Sequence, residues 1–251
     1  MSTPIDISEQ AGVRYLHFGS TWVQGAMRIA RPWNLELEYT REMMASLLLR
    51  DDVRWPRKVL LIGLGTASLT KFLYRYRPLA HLTIVELEPS VVMAARQFFK
   101  LPEDDKRIHL VIADGVEYVL NTDKKFDLIL VDGFNEHAHP GGLNTLPFYQ
   151  ACRSRLSDEG VMAVNLLGLC RGVMGGFEYI LNAFDDRALM FPSCESGNTI
   201  AFAAEGEPVA ITFDDLKENA LTLKEETGLN LLPTLARLAQ AKTCLNNTLV
   251  I

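Results

Sequence analysis

From Lys58 onward the chain alternates between two patterns. The unbroken apolar runs KVLLIG, HLTIVEL, IHLVIAD, FDLILVD and VMAVNLL are separated by stretches such as SLTKFLYRYR and SVVMAARQFF, whose apolar residues recur at helical spacing. A strand that is apolar on both sides has both faces covered, so this alternation predicts a parallel sheet with helices on each face. Pro78 stops the first helix, Pro89 opens the second, and further helices are expected over 116–120 and 147–156. Later, ALMFP and NTIAFAAEG flank a Gly197-Asn198 turn signal and predict an antiparallel pair closing the sheet. Helical spacing returns over 214–222 and 231–241.

The first fifty residues read differently. VRYLHFG and VQGAMRIA lie either side of Gly19-Ser20 and predict a hairpin or small sheet. In NLELEYTREMMASLLLR, Leu37, Met44, Leu47 and Leu48 fall at helical spacing after Asn34, a possible cap. Met43 and Met44 read as core. DDVRWPR is a polar, proline-marked joint, so the expected organisation is an N-terminal β-hairpin region and helix over 1–54 and a larger α/β domain over 55–251.

Composition narrows the function classes. With 251 residues, 48% of them hydrophobic, the chain can bury a full core. No apolar run approaches the roughly 18 residues of a membrane span, and MSTPIDISEQ lacks the basic start and apolar middle of a signal peptide. Cys152, Cys170, Cys194 and Cys244 form no CxxC pair, which argues against a zinc ribbon or disulfide framework and for a reducing, cytoplasmic setting. A net charge of −6 argues against a nucleic-acid partner and is compatible with a cationic small substrate.

In open α/β sheets ligands bind beyond the carboxyl ends of the strands, so the residues there are read together. Gly63 and Gly65 in GLGTAS follow the first strand and suit either a tight turn or a ligand approaching backbone amides at a helix start. Glu86 follows the second, 21 residues beyond Gly65, a distance at which an acid can accept both hydroxyls of a ribose; the alternative is a cap for the helix at Pro89. Asp114-Gly115 follows the third, beside an adenine amino group or capping the helix at Val116. Asp132 follows the fourth. Nothing here supplies cations for two phosphates, which favours S-adenosylmethionine or a relative over NAD.

Together with VQGAMRI and LEYTREMM, these stretches resemble the spermidine synthase family of aminopropyltransferases, in its bacterial spermidine synthase-like branch. The resemblance covers about 24–166. It implies a Rossmann-like, S-adenosylmethionine-dependent methyltransferase fold, with a mostly parallel seven-stranded sheet, helices on both faces and a small N-terminal β-region. It also implies that Gln24 touches the nucleoside or its methionine-derived tail, that Gly63, Gly65 and Thr66 form the glycine loop, and that Glu86 with Leu87 holds the ribose. Asp114 and Gly115 would sit beside the adenine, Asp132 would begin the catalytic motif, and Tyr39 would line the amine pocket. A homodimer through the N-terminal region is a further expectation from the resemblance.

Two positions depart from the family pattern. The glycine loop carries Thr66 where the family has an aspartate, and the catalytic loop reads Asp132-Gly133-Phe134-Asn135 where the family has a second aspartate in place of Asn135. Asn135 can hydrogen-bond an amine but cannot take its proton; Glu136 or His137 could substitute, or Asp132 itself, although Asp132 is expected to orient the nucleoside tail and the amine. The expected activity is transfer of an aminopropyl group to an amine such as putrescine, with altered substrate or impaired turnover. Decarboxylated S-adenosylmethionine or S-adenosylmethionine would serve as co-substrate, with no tightly bound cofactor. The alternatives are a small-molecule methyltransferase using S-adenosylmethionine, and a non-catalytic adenosyl-binding homologue. Glu136, His137 and His139 lie close together but have no partner cluster elsewhere, so an exposed loop is expected rather than a metal site. CRGVMGGF reads as a lead-in to a helix or, alternatively, a lid.

Overall fold

The computed structural model describes residues 4–52, 54–135, 137–167, 170–193, 197–240 and 246–251. Among them, β1 (Asp6–Gln10), β2 (Val13–His17) and β3 (Gly25–Arg28) form an antiparallel sheet in that order. β2 and β3 match the expected hairpin. β1 has no sequence signature, because DISEQ is a polar edge strand that pairs only with β2. α1 (Glu38–Met43) runs into a 3-10 turn at Met44–Leu48. The expected cap at Asn34 is corrected: the cap position is Leu37, without a side-chain hydrogen bond, and the Asn34 amide instead donates to the Arg31 carbonyl. The Arg41 side chain donates to the carbonyls of Leu35 and Glu36, which holds those residues outside the helix.

Strand and helix then alternate as the pattern predicts: β4 (Lys58–Ile62), α2 (Ser68–Tyr76), β5 (His81–Glu86), α3 (Pro89–Phe98), β6 (Ile108–Ile112), α4 (Gly115–Asn121), β7 (Phe126–Val131), α5 (Leu146–Ser154) and β8 (Leu156–Leu167). After these come α6 (Cys170–Ala183), β9 (Ala188–Met190), β10 (Asn198–Ala204), β11 (Ala210–Thr212), α7 (Phe213–Thr227), α8 (Leu232–Gln240) and β12 (Thr248–Val250). CRGVMGGF thus forms the opening of α6. β11 and β12 make a small antiparallel pair. The large sheet is ordered β6-β5-β4-β7-β8-β10-β9, parallel from β6 to β8, with β10 antiparallel to both its neighbours. Alternate residues of the central strand serve opposite layers. Val59 and Leu61 join one core, Leu60 and Ile62 the other, which is why the run had to be apolar throughout.

Strand order reverses between β4 and β7, and the two strands end side by side there. The Asp132 amide donates to the Ile62 carbonyl at 2.9 Å. Gly63 has φ +94°, and a Cβ on it would lie 2.2 Å from the Asp132 carbonyl oxygen. The glycine is therefore what lets the strand carrying Asp132 pass this close. The N-terminal sheet docks on the same loop. A Cβ at Gly25 would meet the Thr66 side chain at 2.6 Å, and the Ser68 hydroxyl donates to the Ala26 carbonyl. Arg14 and Lys71 donate to the Phe98 and Phe99 carbonyls at the end of α3, where cations suit the helix dipole. Burial pushes the Lys71 ammonium down to about 7.

Gly63→Ala should destabilise the protein by roughly 2–4 kcal/mol, the sum of a left-handed backbone penalty and an overpacked contact. Urea unfolding at fixed pH measures it, and a loss under about 0.5 kcal/mol, the size of a neutral surface change, would contradict the close pass.

Candidate active site

A cleft of ≈510 Å3 opens at this rim of the sheet, and Gln24, Gly63, Gly65, Glu86, Leu87, Asp114, Gly115, Asp132, Asn135 and Tyr39 all line it. The elements that deliver them explain the convergence. β4, β5, β6 and β7 run parallel, so their carboxyl ends share one edge, and α1 and the β2–β3 connection close over that edge.

Glu86 is held by the loops it joins. Its carboxylate accepts from the amides of Leu64 and Glu88, each at 2.9 Å. Burial raises its pKa, opposed by amides at Glu88, Leu64 and Leu87. Asp114 uses one oxygen to accept from the amides of Val116 and Glu117, capping α4, so the capping role suggested by sequence is present. Trp22 and Leu87 expose 58% and 60% of their surface at the rim.

Asp132 is the most constrained group. Its Oδ2 accepts from the Tyr39 hydroxyl at 3.2 Å and its Oδ1 from the Asn165 amide at 2.9 Å. The Asn198 amide in turn donates to Asn165 Oδ1 at 2.9 Å, which fixes the Asn165 side chain with its N–H toward the carboxylate. Burial pushes Asp132 above the ordinary carboxylate range, while the Asn165 and Tyr39 hydrogen bonds pull it back toward the ionised form. Burial and the Asp132 charge both raise Tyr39 well above 10, so the phenol stays a donor. The helix carrying Tyr39 is braced from behind, where Arg237 of α8 pairs with Glu38 at 2.9 Å and with buried Glu42.

Beyond Asp132 the loop folds around Asn135. Its Oδ1 accepts from the amides of His137 and His139, each at 2.9 Å, and its own amide donates to the His139 carbonyl at 3.0 Å. Glu86, Asp114, Asp132, Glu38 and Glu88 give the cleft five carboxylates, and among the described lining residues there is neither Lys nor Arg.

Residues 37–166 match the family model of the spermine/spermidine synthase domain. The polyamine aminopropyltransferase of Chromobacterium violaceum is 35% identical over 236 residues, covering 94% of this chain and 89% of that protein. The chain belongs to the spermine/spermidine synthase family. Among solved structures, a spermidine synthase in complex with the transition-state analogue AdoDATO has TM-score 0.67 at 22% identity, covering 94% of this chain and 85% of its own. Human methyltransferase-like protein 13 in complex with SAH has TM-score 0.66 at 25% identity, covering 76% and 93%. The family fold is thus the S-adenosylmethionine-dependent methyltransferase fold extended by an N-terminal β-region.

Against this family frame, two sequence expectations change. Thr66 does not line the cleft. It is 3% exposed, packed under Gly25 with its hydroxyl on Ser68, because β3 needs a small, self-satisfied side chain beneath it. Asn135 lines the cleft, but its carbonyl oxygen is committed to the loop backbone. Glu136 lies outside the described residues. Sequence reasoning missed Asn165 and Asn198. The available signal was a polar amide inside VMAVNLL, an otherwise apolar run.

Asn165→Ala removes a donor that favours ionised Asp132 and breaks the hydrogen bond from the Asn198 amide to Asn165. The pKa of Asp132 should rise further, so the acid-side fall of kcat/KM should begin at higher pH. Turnover should drop about 10–100-fold, the worth of a hydrogen bond to a charged group, about 1.5–3 kcal/mol. Profiles of kcat/KM against pH for the two proteins check this; parallel profiles would contradict it.

Proposed function

We propose that this chain transfers an aminopropyl group from decarboxylated S-adenosylmethionine to a diamine or polyamine acceptor such as putrescine. The observation that carries the reading is the charge of the cleft: five lining carboxylates with no described Lys or Arg. The α-carboxylate of S-adenosylmethionine would be repelled there, whereas the decarboxylated donor brings a sulfonium and an ammonium, and the acceptor brings further ammonium groups. Charge therefore selects both partners before any specific contact does.

The residues divide the work. Glu86 accepts from the ribose hydroxyls. Asp114 and Gly115 flank the adenine, with Trp22 and Leu87 supplying apolar cover. Gln24, over the glycine loop, contacts the sulfonium-bearing tail, and Asp132 with Tyr39 binds the ammonium groups near the reacting carbon. The reaction is an in-line displacement in which a neutral amine attacks the carbon beside the sulfonium and a thioether departs. The leaving group becomes neutral as its bond breaks and needs no acid. The amine arrives protonated, since alkyl ammonium groups have pKa values near 10, so it must be both held and deprotonated. Fixing the two reactants in line contributes up to roughly 7–11 kcal/mol. The donor is consumed at each turn and so behaves as a co-substrate.

Incubation with decarboxylated S-adenosylmethionine and putrescine should yield methylthioadenosine and spermidine in equal amounts, read by mass spectrometry. S-adenosylmethionine with the same amine should yield neither methylated amine nor S-adenosylhomocysteine. Methyl transfer would replace the proposal with a methyltransferase, and adenosyl binding without any product would make the chain a non-catalytic binder. Asp132→Ala should lower kcat/KM by at least about 100-fold, the low end for losing a positioned acid–base or charge-binding group; a smaller loss would remove Asp132 from the centre of the scheme.

A further inference from the structure

The reading above leaves the amine's proton without a recipient, because the position where the family carries a second aspartate is Asn135. We propose that His139 takes that proton and that Asn135 has become the residue that positions it. This rests on the aminopropyl-transfer reading.

Among the described residues, the cleft's other titratable groups are committed or misplaced. Both oxygens of Glu86 accept backbone amides, and Glu88 stands beside it at the ribose end of the cleft. Asp114 caps α4, and Glu38 is paired with Arg237. Tyr39 is already the donor to Asp132, whose two oxygens hold Tyr39 and Asn165 and which serves best as the fixed counter-charge for the ammonium. His139 lines the same cleft, seven residues beyond Asp132 on the loop that Asp132 begins. Its imidazole makes no side-chain hydrogen bond among the described residues, and its charged or titratable loop neighbour is His137, whose ring centroid lies 6.4 Å away. Imidazole is the side chain that exchanges protons most readily at neutral pH.

Asn135 explains how an exposed loop histidine is aimed. It makes two hydrogen bonds with the His139 backbone, accepting from its amide at 2.9 Å and donating to its carbonyl at 3.0 Å. An amide oxygen accepts the two loop N–H groups at any pH and has no proton affinity that would draw the substrate ammonium away from Asp132. In the step itself, the ammonium N–H proton passes to the imidazole and the freed nitrogen lone pair attacks the carbon beside the sulfonium. A C–N bond forms, the C–S bonding pair stays on sulfur, and neutral methylthioadenosine leaves. The lengthened amine departs as an ammonium, and the imidazolium releases its proton to solvent at the exposed edge of the loop.

The test compares kcat and its pH dependence for wild type, His139→Gln, His139→Ala and Asn135→Ala, with methylthioadenosine binding as a check that each variant folds. The expected result is a 10²–10⁴-fold fall in kcat for both His139 variants, little change in amine KM, and loss of one limb of the wild-type pH profile. Rate should return toward wild type at high pH, and added imidazole should rescue His139→Ala but not His139→Gln. Asn135→Ala should lower kcat, whereas Asn135→Asp, which keeps an acceptor for both loop amides, should retain it. An active wild type whose His139 variants keep its rate and pH profile would overturn the assignment while leaving aminopropyl transfer intact. A fall in rate that neither imidazole nor pH restores would overturn it too. An inert wild type would overturn both.

Discussion

Asp132 sits just past the end of β7, half-buried, with one oxygen on the Tyr39 hydroxyl and the other on the Asn165 amide. A carboxylate withdrawn from water is costly unless donors satisfy it, so the surrounding structure is organised around providing them. Tyr39 arrives from α1, Asn165 from the neighbouring strand β8, and Asn198 from β10 fixes the orientation of Asn165. Gly63 allows the strand bearing Asp132 to lie against β4. Remove the need to hold one ionised acid at this rim, and the glycine, the phenol and both buried amides lose their common reason.

The residual penalty at Asp132 is also what makes the site useful. Burial raises its pKa and the two hydrogen bonds only partly reverse this, so the most favourable way to stabilise the ionised form further is to bring a cation against it. An ammonium group does this. The acid-rich lining spreads the same preference through the cleft, and the Arg237 pairs with Glu38 and Glu42 hold the helix that carries Tyr39 without placing a guanidinium in the lining.

Much of this was legible in the sequence because it is local. The double-sided apolar runs reported the parallel strands, and the residue after each run reported the four strand ends that meet in the cleft. Side-chain direction was not legible. Thr66 follows Gly65 in a ligand-binding type of loop, yet β3 covers it, and only the docking of the N-terminal sheet determines that. The amide chain depends on the register of β8 with β10, where Ile200 pairs with Asn165 and Asn198 with Leu167, so that two distant asparagines fall diagonally on one face. Asn135 looked like a weakened catalytic acid because its backbone partners, His137 and His139, become visible only when the loop is folded.

The central claim is that ionised Asp132 is the anchor for the acceptor's ammonium. Isothermal titration of putrescine into the methylthioadenosine complex tests it most directly, comparing the native protein with Asp132→Asn. The account predicts saturable binding that weakens at least about tenfold in the variant, or 1.4 kcal/mol, while methylthioadenosine affinity stays within about threefold. Equal putrescine affinity in the two proteins would contradict it.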